Sequence, residues 1–390
     1  MIVREFLDWV RTAPAGRRAE ATGALARAYL YSDLSPDDLG AAEGAMLMLL
    51  DDPSPLVRQA LADVLAASPG APPAIMLALA SDQPQIAAPV LALSPLFVDA
   101  DLVDAVATGG RAVQAAIASR CALPRSVAAA IAEVGTSEAC LVLLENADAE
   151  IAPFSIDRIV ERYGHLAVIR EQLLLRDDIA AATRQTLVAK LSETLAGFVA
   201  EREWLDVDHA RRITREACEK ATVVLAADAP ATQLRPLIQH LRVSGQLTAG
   251  LILRALLSGN MTLFEEALSE LADIPVARVC SLVHDQGGVG LRALFNRAGL
   301  PLSTYPAFKE AIGAMREGGF VSEPGGASRL KRRMIERVLT RCENELLDEL
   351  APLLTLLRRF VTEAAREEAR LFCDELVADA YDLEQQPQAA

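Results

Sequence analysis

Asp206, Asp208 and His209 are the residues of this chain that most invite a catalytic or metal-binding reading, because three potential ligands fall within four positions. A zinc-type centre needs a further His or Cys, and none lies nearby in the sequence. The same residues precede a helical stretch, where aspartate caps free N–H groups and suits the positive end of the helix dipole. They read as a helix cap. His284 and Asp285, followed by Gly287 and Gly288, form a second polar group. A loop entering a helix can bind an anion through unpaired backbone N–H groups. No Lys-Ser/Thr pair follows as in a phosphate-binding loop, and the glycine spacing matches no dinucleotide fingerprint. A capped turn and a small-ligand or partner contact built from Arg254, His284, Asp285 and Arg292 are the two readings of this region.

A basic run, Arg329, Lys331, Arg332, Arg333, Arg337 and Arg341, is the densest positive segment. On a helix, Arg329, Arg333 and Arg337 share one stripe at i, i+4, i+8 spacing. Glu343, Glu345, Asp348 and Glu349 follow and can neutralise it; otherwise the stripe offers guanidinium forks to a phosphorylated or acidic partner. Ser328 and Lys331 formally spell SxxK, but the chain holds neither partner motif of that enzyme class. The six cysteines form no CxxC pair, and most lie among apolar neighbours in helical stretches. They are expected to be reduced and buried. No cofactor motif is present, so neither a cofactor nor a metal is expected.

The elements that carry these residues are helical. The pairs Ile75/Leu79, Leu102/Val106, Val127/Ile131 and Ile156/Val160 recur at intervals of 27, 25 and 29 residues. A second apolar pair follows within each unit, as in Ile86/Val90 and Val113/Ile117. Two short helices per unit at this period indicate an α-solenoid. The stretch 51–66 carries an acidic, Pro-containing turn followed by apolar, Arg and Ala positions at helical spacing, as in a HEAT repeat. Helices are expected over 2–13 and 15–31, then from an N-cap at Ser35 to Leu50, and later over roughly 165–175, 179–202 and 207–226. Thr248 and Thr262 suit N-caps, Gly259 and Gly299 suit left-handed C-caps, and Pro275 and Pro301 suit first helical turns. No alternating segment calls for a strand.

Composition narrows the function classes. A net charge of −15 repels nucleic acid over most of the surface. Lysine occurs only at 190, 220, 309 and 331, which with abundant Ala fits a GC-rich bacterial genome. The charged start MIVREFLDWVRTA is not a signal peptide, and no uncharged apolar run reaches the ~18 residues of a membrane span. A cytoplasmic protein that binds neither nucleic acid nor membrane is expected.

Residues 245–301 carry a further pattern. Gly245, Leu247, Leu251, Leu253-Arg254-Ala255-Leu256 and Gly259 lead to Phe264-Glu265, Ala267-Leu268 and Pro275. Asp285, Gly287, Gly290 and Ala298-Gly299-Leu300-Pro301 complete it. This segment resembles the bacterial family known as domain of unknown function 2336, over roughly 165–320. The resemblance implies an all-helical protein with HEAT-like or leucine-rich-variant repeats and brings no catalytic residues with it.

The expected fold is therefore all-α, an α-solenoid of short HEAT-like hairpins followed by a helical C-terminal half. Residues 1–163 form N-terminal helices and the repeat, 164–317 the family-like helical domain, and 318–390 a Gly/Pro-rich break and C-terminal helical cap. The expected function is a non-catalytic protein-interaction scaffold or adaptor, with a partner on the solenoid surface and a possible homodimer through the C-terminal helices. A small-molecule or nucleotide sensor with a pocket near 254–292 is the alternative.

Overall fold

The structure is a computed structural model and describes residues 9–285, 288–318, 329–343 and 351–385. Its described residues form twenty-one α-helices and one short 3-10 turn, with no strand among them. The chain divides into two compact units, Met1–Ile179 and Ala180–Ala390.

The first unit holds α1 (Ala15–Tyr31), α2 (Pro36–Leu49), α3 (Pro55–Leu65), α4 (Pro73–Ala80), α5 (Pro84–Leu93) and α6 (Asp99–Thr108). It continues with α7 (Arg111–Ala118), α8 (Arg125–Val134), α9 (Ser137–Glu145), α10 (Pro153–Tyr163) and α11 (Ala167–Leu174). Helices α1, α3, α5, α7, α9 and α11 pack each upon the next, while α6, α8 and α10 stack as a second layer. This is solenoid-like packing, and it begins earlier than the sequence period shows. The buried face of α1 is only Thr22, Gly23 and Ala26, too small to register as an apolar repeat. Five helices begin at proline (Pro36, Pro55, Pro73, Pro84 and Pro153), where the fixed φ suits the first turn and no N–H is lost. Ser35 caps α2 by accepting from the Asp38 N–H at 3.2 Å. The expected helix over 2–13 lies mostly outside the described residues.

Side chains from one repeat satisfy backbone carbonyls of the one before. Arg120 donates to the carbonyls of Leu91 and Ser94, the latter at 2.8 Å. Asn146 Nδ2 donates to Ala118 and Arg120 carbonyls, both at 2.8 Å. Arg162 reaches Ala132 at 2.7 Å and Gly135 at 2.8 Å. These carbonyls close α5, α7 and α8, where no intrahelical donor remains and the dipole favours a cation. Nearer the N-terminus the same tie is made by ion pairs, Arg18–Asp52 at 2.8 Å and Arg58–Asp82 at 2.5 Å.

The second unit holds α12 (Ala181–Glu201), α13 (Val207–Asp228), α14 (Ala231–Val243), α15 (Ala249–Ser258), α16 (Met261–Ala272), α17 (Val276–His284) and α18 (Val289–Arg297). A 3-10 turn (Leu302–Thr304) leads to α19 (Tyr305–Gly318), α20 (Arg332–Glu343) and α21 (Ala351–Gln385). Alternate helices stack here too: α12, α14, α16 and α18 form one row, and α13 packs on α15, which packs on α19. The core gathers Phe264, Phe295 and Phe308, with ring centroids 6.1 and 5.1 Å apart. Each such fully buried side chain contributes about 1.5–3 kcal/mol.

Thr248 caps α15 through the Leu251 N–H at 3.1 Å, and Gly259 ends it at φ 82°. Thr262 does not cap α16. Asn260 does, accepting from the Leu263 N–H at 3.1 Å, because the helix starts directly after Gly259. Pro275 and Pro301 sit one position before the helical turns they introduce. Gly290 is set by packing, since a Cβ there would fall 2.8 Å from Leu282 Cδ2. Helix α20 begins at Arg332, so Arg329 precedes it and the expected arginine stripe is shortened to Arg333 and Arg337. Three of the cysteines, Cys140, Cys218 and Cys342, are buried; Cys121 and Cys373 are exposed because each lies at a solvent-facing position, in a turn and on α21 respectively.

Candidate functional site

Arg254, singled out in the sequence as a ligand contact, is a core residue at 2% exposure. Its Nη1 donates to both carboxylate oxygens of Glu363 on α21, at 2.8 and 2.9 Å. The guanidinium also lies over the Phe360 ring, 4.5 Å from its centre. His284 ends α17 with Nε2 3.3 Å from Glu265 Oε1. Asp285 is the C-cap of the same helix, and its carbonyl accepts from Arg316 at 2.8 Å. Arg292 is exposed on α18. The fold thus joins His284 and Asp285 at one helix end, while Arg254 is committed to α21.

Arg333 is exposed and Arg329 and Arg337 are half-buried. Their neighbours are tied into carboxylates: Arg332 to Glu336 at 2.7 Å and Glu368 at 3.2 Å, Arg341 to Glu310, and Glu343 to Arg358 at 2.8 Å. Asp206 accepts from the His209 N–H at 3.2 Å and so caps α13. Ser328 lies outside the described residues. Among the described residues no group of three His, Cys, Asp or Glu side chains is arranged to hold a metal ion, and no helix is long and apolar enough to cross a membrane.

The hairpin of α12 and α13 carries the features that sequence reasoning missed. Each helix spans about 30 Å at 1.5 Å per residue. Small residues on α12 (Ala189, Ala196, Gly197 and Ala200) leave a cavity of about 730 Å³ against α13 and the turn that leads into α15. Cys218, Thr222 and Leu251 form buried parts of its wall, and Arg211 and Arg215 stand exposed one turn apart on α13. Neither arginine forms a salt bridge among the described residues.

Glu219 also lines this cavity and accepts from the Thr248 hydroxyl at 2.9 Å. Burial pushes its carboxyl above the ordinary range, against the opposing pull of Thr248, Arg254 and Arg215. Burial likewise raises the Cys218 thiol, although Ser192 and Thr222 bond to it. A thiol held protonated is a weak nucleophile, so Cys218 contributes shape and polarity to the wall. Behind it, Gln185 donates to Gln246 at 2.5 Å, and His240 Nε2 lies 3.1 Å from Gln185 Oε1. A second cavity of about 510 Å³ lies between α14 and the segment 266–276, bordered by Arg235, Arg242, Glu266 and Glu270. Arg254, His284, Asp285 and Arg292 line neither cavity.

The opposite face of α12 is apolar and exposed. Leu191, Leu195 and Phe198 follow each other at i, i+4, i+7, continued beyond the helix by Trp204 at 64% exposure and by Leu205. The turn between the helices is a Schellman motif: Trp204 N–H bonds to Val199 O at 3.2 Å and Glu203 N–H to Ala200 O at 3.0 Å, with Glu203 at φ 55°. That turn seats Trp204 edge-on to Phe198, with ring centroids 5.7 Å apart, and Arg202 lies 4.8 Å over the Phe198 ring. Sequence spacing alone gave no reason to expect that this stripe stays uncovered.

Comparison with curated proteins and with solved structures gives no match. A family model described as an uncharacterised protein conserved in bacteria (DUF2336) matches residues 86–348, more than half of the chain and spanning both units, and the chain belongs to that family.

Proposed function

We propose that this protein is a non-catalytic interaction scaffold and that the α12–α13 hairpin is its docking element. The observation that carries this reading is the exposed stripe Leu191, Leu195, Phe198, Trp204 and Leu205. Contiguous exposed apolar side chains on a folded surface mark binding sites, whereas single ones do not. Spacing at i, i+4, i+7 is the register in which one amphipathic helix packs on another. The occupant is therefore an amphipathic helix of a second protein, its apolar face laid along α12. Trp204 and Phe198, rigid and held edge to face, supply the kind of aromatic anchors that dominate binding energy.

Photo-crosslinking in a bacterial host that carries this gene tests the assignment. A photoreactive phenylalanine at position 198 is expected to capture a distinct protein through a helical segment, and Leu195→Glu is expected to abolish the adduct. The same probe at Val134, an exposed apolar residue of the first unit, is expected to give none. Adducts only with a second copy of the chain, or equal capture at both positions, would remove the reading.

A further inference from the structure

Helix α21 spans 35 residues, about 50 Å, but its packing into the core of the second unit stops partway. Leu353, Leu357, Phe360 and Ala364 are buried, and among the described residues none after Ala364 is. Beyond that point Glu367 and Glu368 are tied to Lys220 and Arg332, at 2.5 and 3.2 Å. A helix with no apolar face covered is marginal in water, so this stretch gains from a partner. We propose that it pairs antiparallel with the same stretch of a second copy of the chain.

Ala365, Ala369, Phe372 and Leu376 recur at i, i+4, i+7, i+11 and therefore share one face. Phe372 is 61% exposed and Leu376 54%. Along this face two small residues are followed by two large ones. Reversing one helix against another sets Ala369 beside Phe372 of the second copy, and Ala365 beside its Leu376. Each large side chain then fills the space that an alanine leaves. A parallel pair would set Phe372 on Phe372 and leave the alanines facing across a gap. Close packing favours the reversed arrangement.

Charge selects the same partner and the same direction. Arg366 and Arg370 are exposed and form no salt bridge among the described residues, while the acidic residues between them are tied to Lys220 and Arg332. After Cys373 the sequence carries Asp374, Glu375, Asp379, Asp382 and Glu384 and no Lys or Arg. Antiparallel pairing lays the arginines of each copy along the acidic end of the other. In a parallel pair like charges would lie side by side within a Debye length and repel. A face whose two ends complement each other in both size and charge matches itself when reversed. Such a two-fold contact closes at two copies.

Sedimentation equilibrium on the full chain tests the pairing. The wild type is expected to form a dimer with a Kd on the order of 10 µM, as suits a small contact. Phe372→Asp/Leu376→Asp is expected to weaken it at least about tenfold. Both positions are exposed, so the melting temperature of the dilute protein is expected to stay unchanged. Phe372→Leu, which keeps the face apolar, is expected to retain the dimer. Arg366→Glu/Arg370→Glu is expected to weaken it in low salt and to have less effect near about 1 M salt, where screening is strong. In a parallel pair that reversal would only exchange one like-charge contact for another and leave affinity unchanged. A chain still monomeric at about ten times the expected Kd, wild-type association in either double variant, or oligomers larger than a dimer would overturn the pairing. Association lost in Leu195→Glu but kept in Phe372→Asp/Leu376→Asp would move the contact to α12 and also refute it.

Discussion

Arg254 and Glu363, 109 residues apart, are joined through Arg254 Nη1, which donates to both carboxylate oxygens at 2.8 and 2.9 Å and fastens the last helix to the interior of the second unit. Around it Lys220 reaches Glu367 at 2.5 Å, and Arg359 pairs with Glu216. Leu353, Leu357, Phe360 and Ala364 are buried beneath the same stretch of α21. Arg254 sits at 2% exposure, so removing Glu363 takes away the direct carboxylate partner of a guanidinium buried in the core. Glu363→Ala is expected to cost about 3–5 kcal/mol, the range for breaking a buried pair. Lys220→Ala, at a half-exposed position, is expected to cost about 1 kcal/mol or less. Chemical denaturation of both variants checks the order; equal losses would deny Arg254–Glu363 its central place.

The inter-repeat ties of the first unit give a second expectation. Arg162 satisfies two carbonyls at the end of α8, and hydrogen bonds to a charged group contribute about 1.5–3 kcal/mol. Arg162→Ala is expected to destabilise by about 2 kcal/mol and to raise amide exchange in α8 before α12–α18. Exchange that rises equally in both units would contradict a local tie.

Much of this architecture is legible in sequence because it rests on short-range rules. Ser35, Thr248 and Gly259 act where local spacing puts them. Thr262 does not, because Asn260 two residues earlier offers an equally good cap immediately after the left-handed Gly259. Arg254 stands in an apolar helix, and nothing local distinguishes a ligand-binding arginine from one whose partner is Glu363. The cavity is harder still to foresee. It comes from what Ala189, Ala196 and Gly197 lack, and small residues on a helix just as often permit close packing. The exposed Leu195–Phe198 face reads like any buried stripe until the fold leaves it uncovered.

Acidification is expected to weaken the first unit. Burial opposes the charge on Asp52, yet the bonds from Arg18 and the Ser54 N–H hold its carboxyl below the ordinary range. Asp82 is lowered in the same way by Arg58 and the Gln83 N–H. A carboxyl depressed in the folded state contributes stability above its unfolded pKa, near 4, and loses it as pH falls through the folded value. Unfolding free energy is expected to drop below about pH 4. The drop should be shallower in Asp52→Asn/Asp82→Asn, which is already weaker at neutral pH. An unchanged acid slope in that variant would show that other groups set it.

Thiol chemistry separates the cysteines by environment. Cys121 and Cys373 are exposed, whereas Cys140 is buried and its thiol is pushed up to about 11 by burial. The Cys280 thiol rises to about 11 chiefly because it donates to Glu265 at 3.0 Å. Titration of the native protein with a chromogenic disulfide at pH 8 is expected to show two fast thiols, lost in Cys121→Ser/Cys373→Ser. The buried thiols should appear only on unfolding. A fast third thiol at Cys140 or Cys218 would mean that the core around it opens readily.

Affinity measured on the apolar hairpin face bears most directly on the proposed function. The helical segment identified by crosslinking at position 198 is titrated against the wild-type chain and against Leu195→Glu/Phe198→Asp. Docking on α12 predicts a loss of at least about 2 kcal/mol in binding, the scale of hot-spot residues. Both positions are already exposed, so the melting temperature is expected to change little. Undiminished binding by a folded double variant would contradict docking through this hairpin.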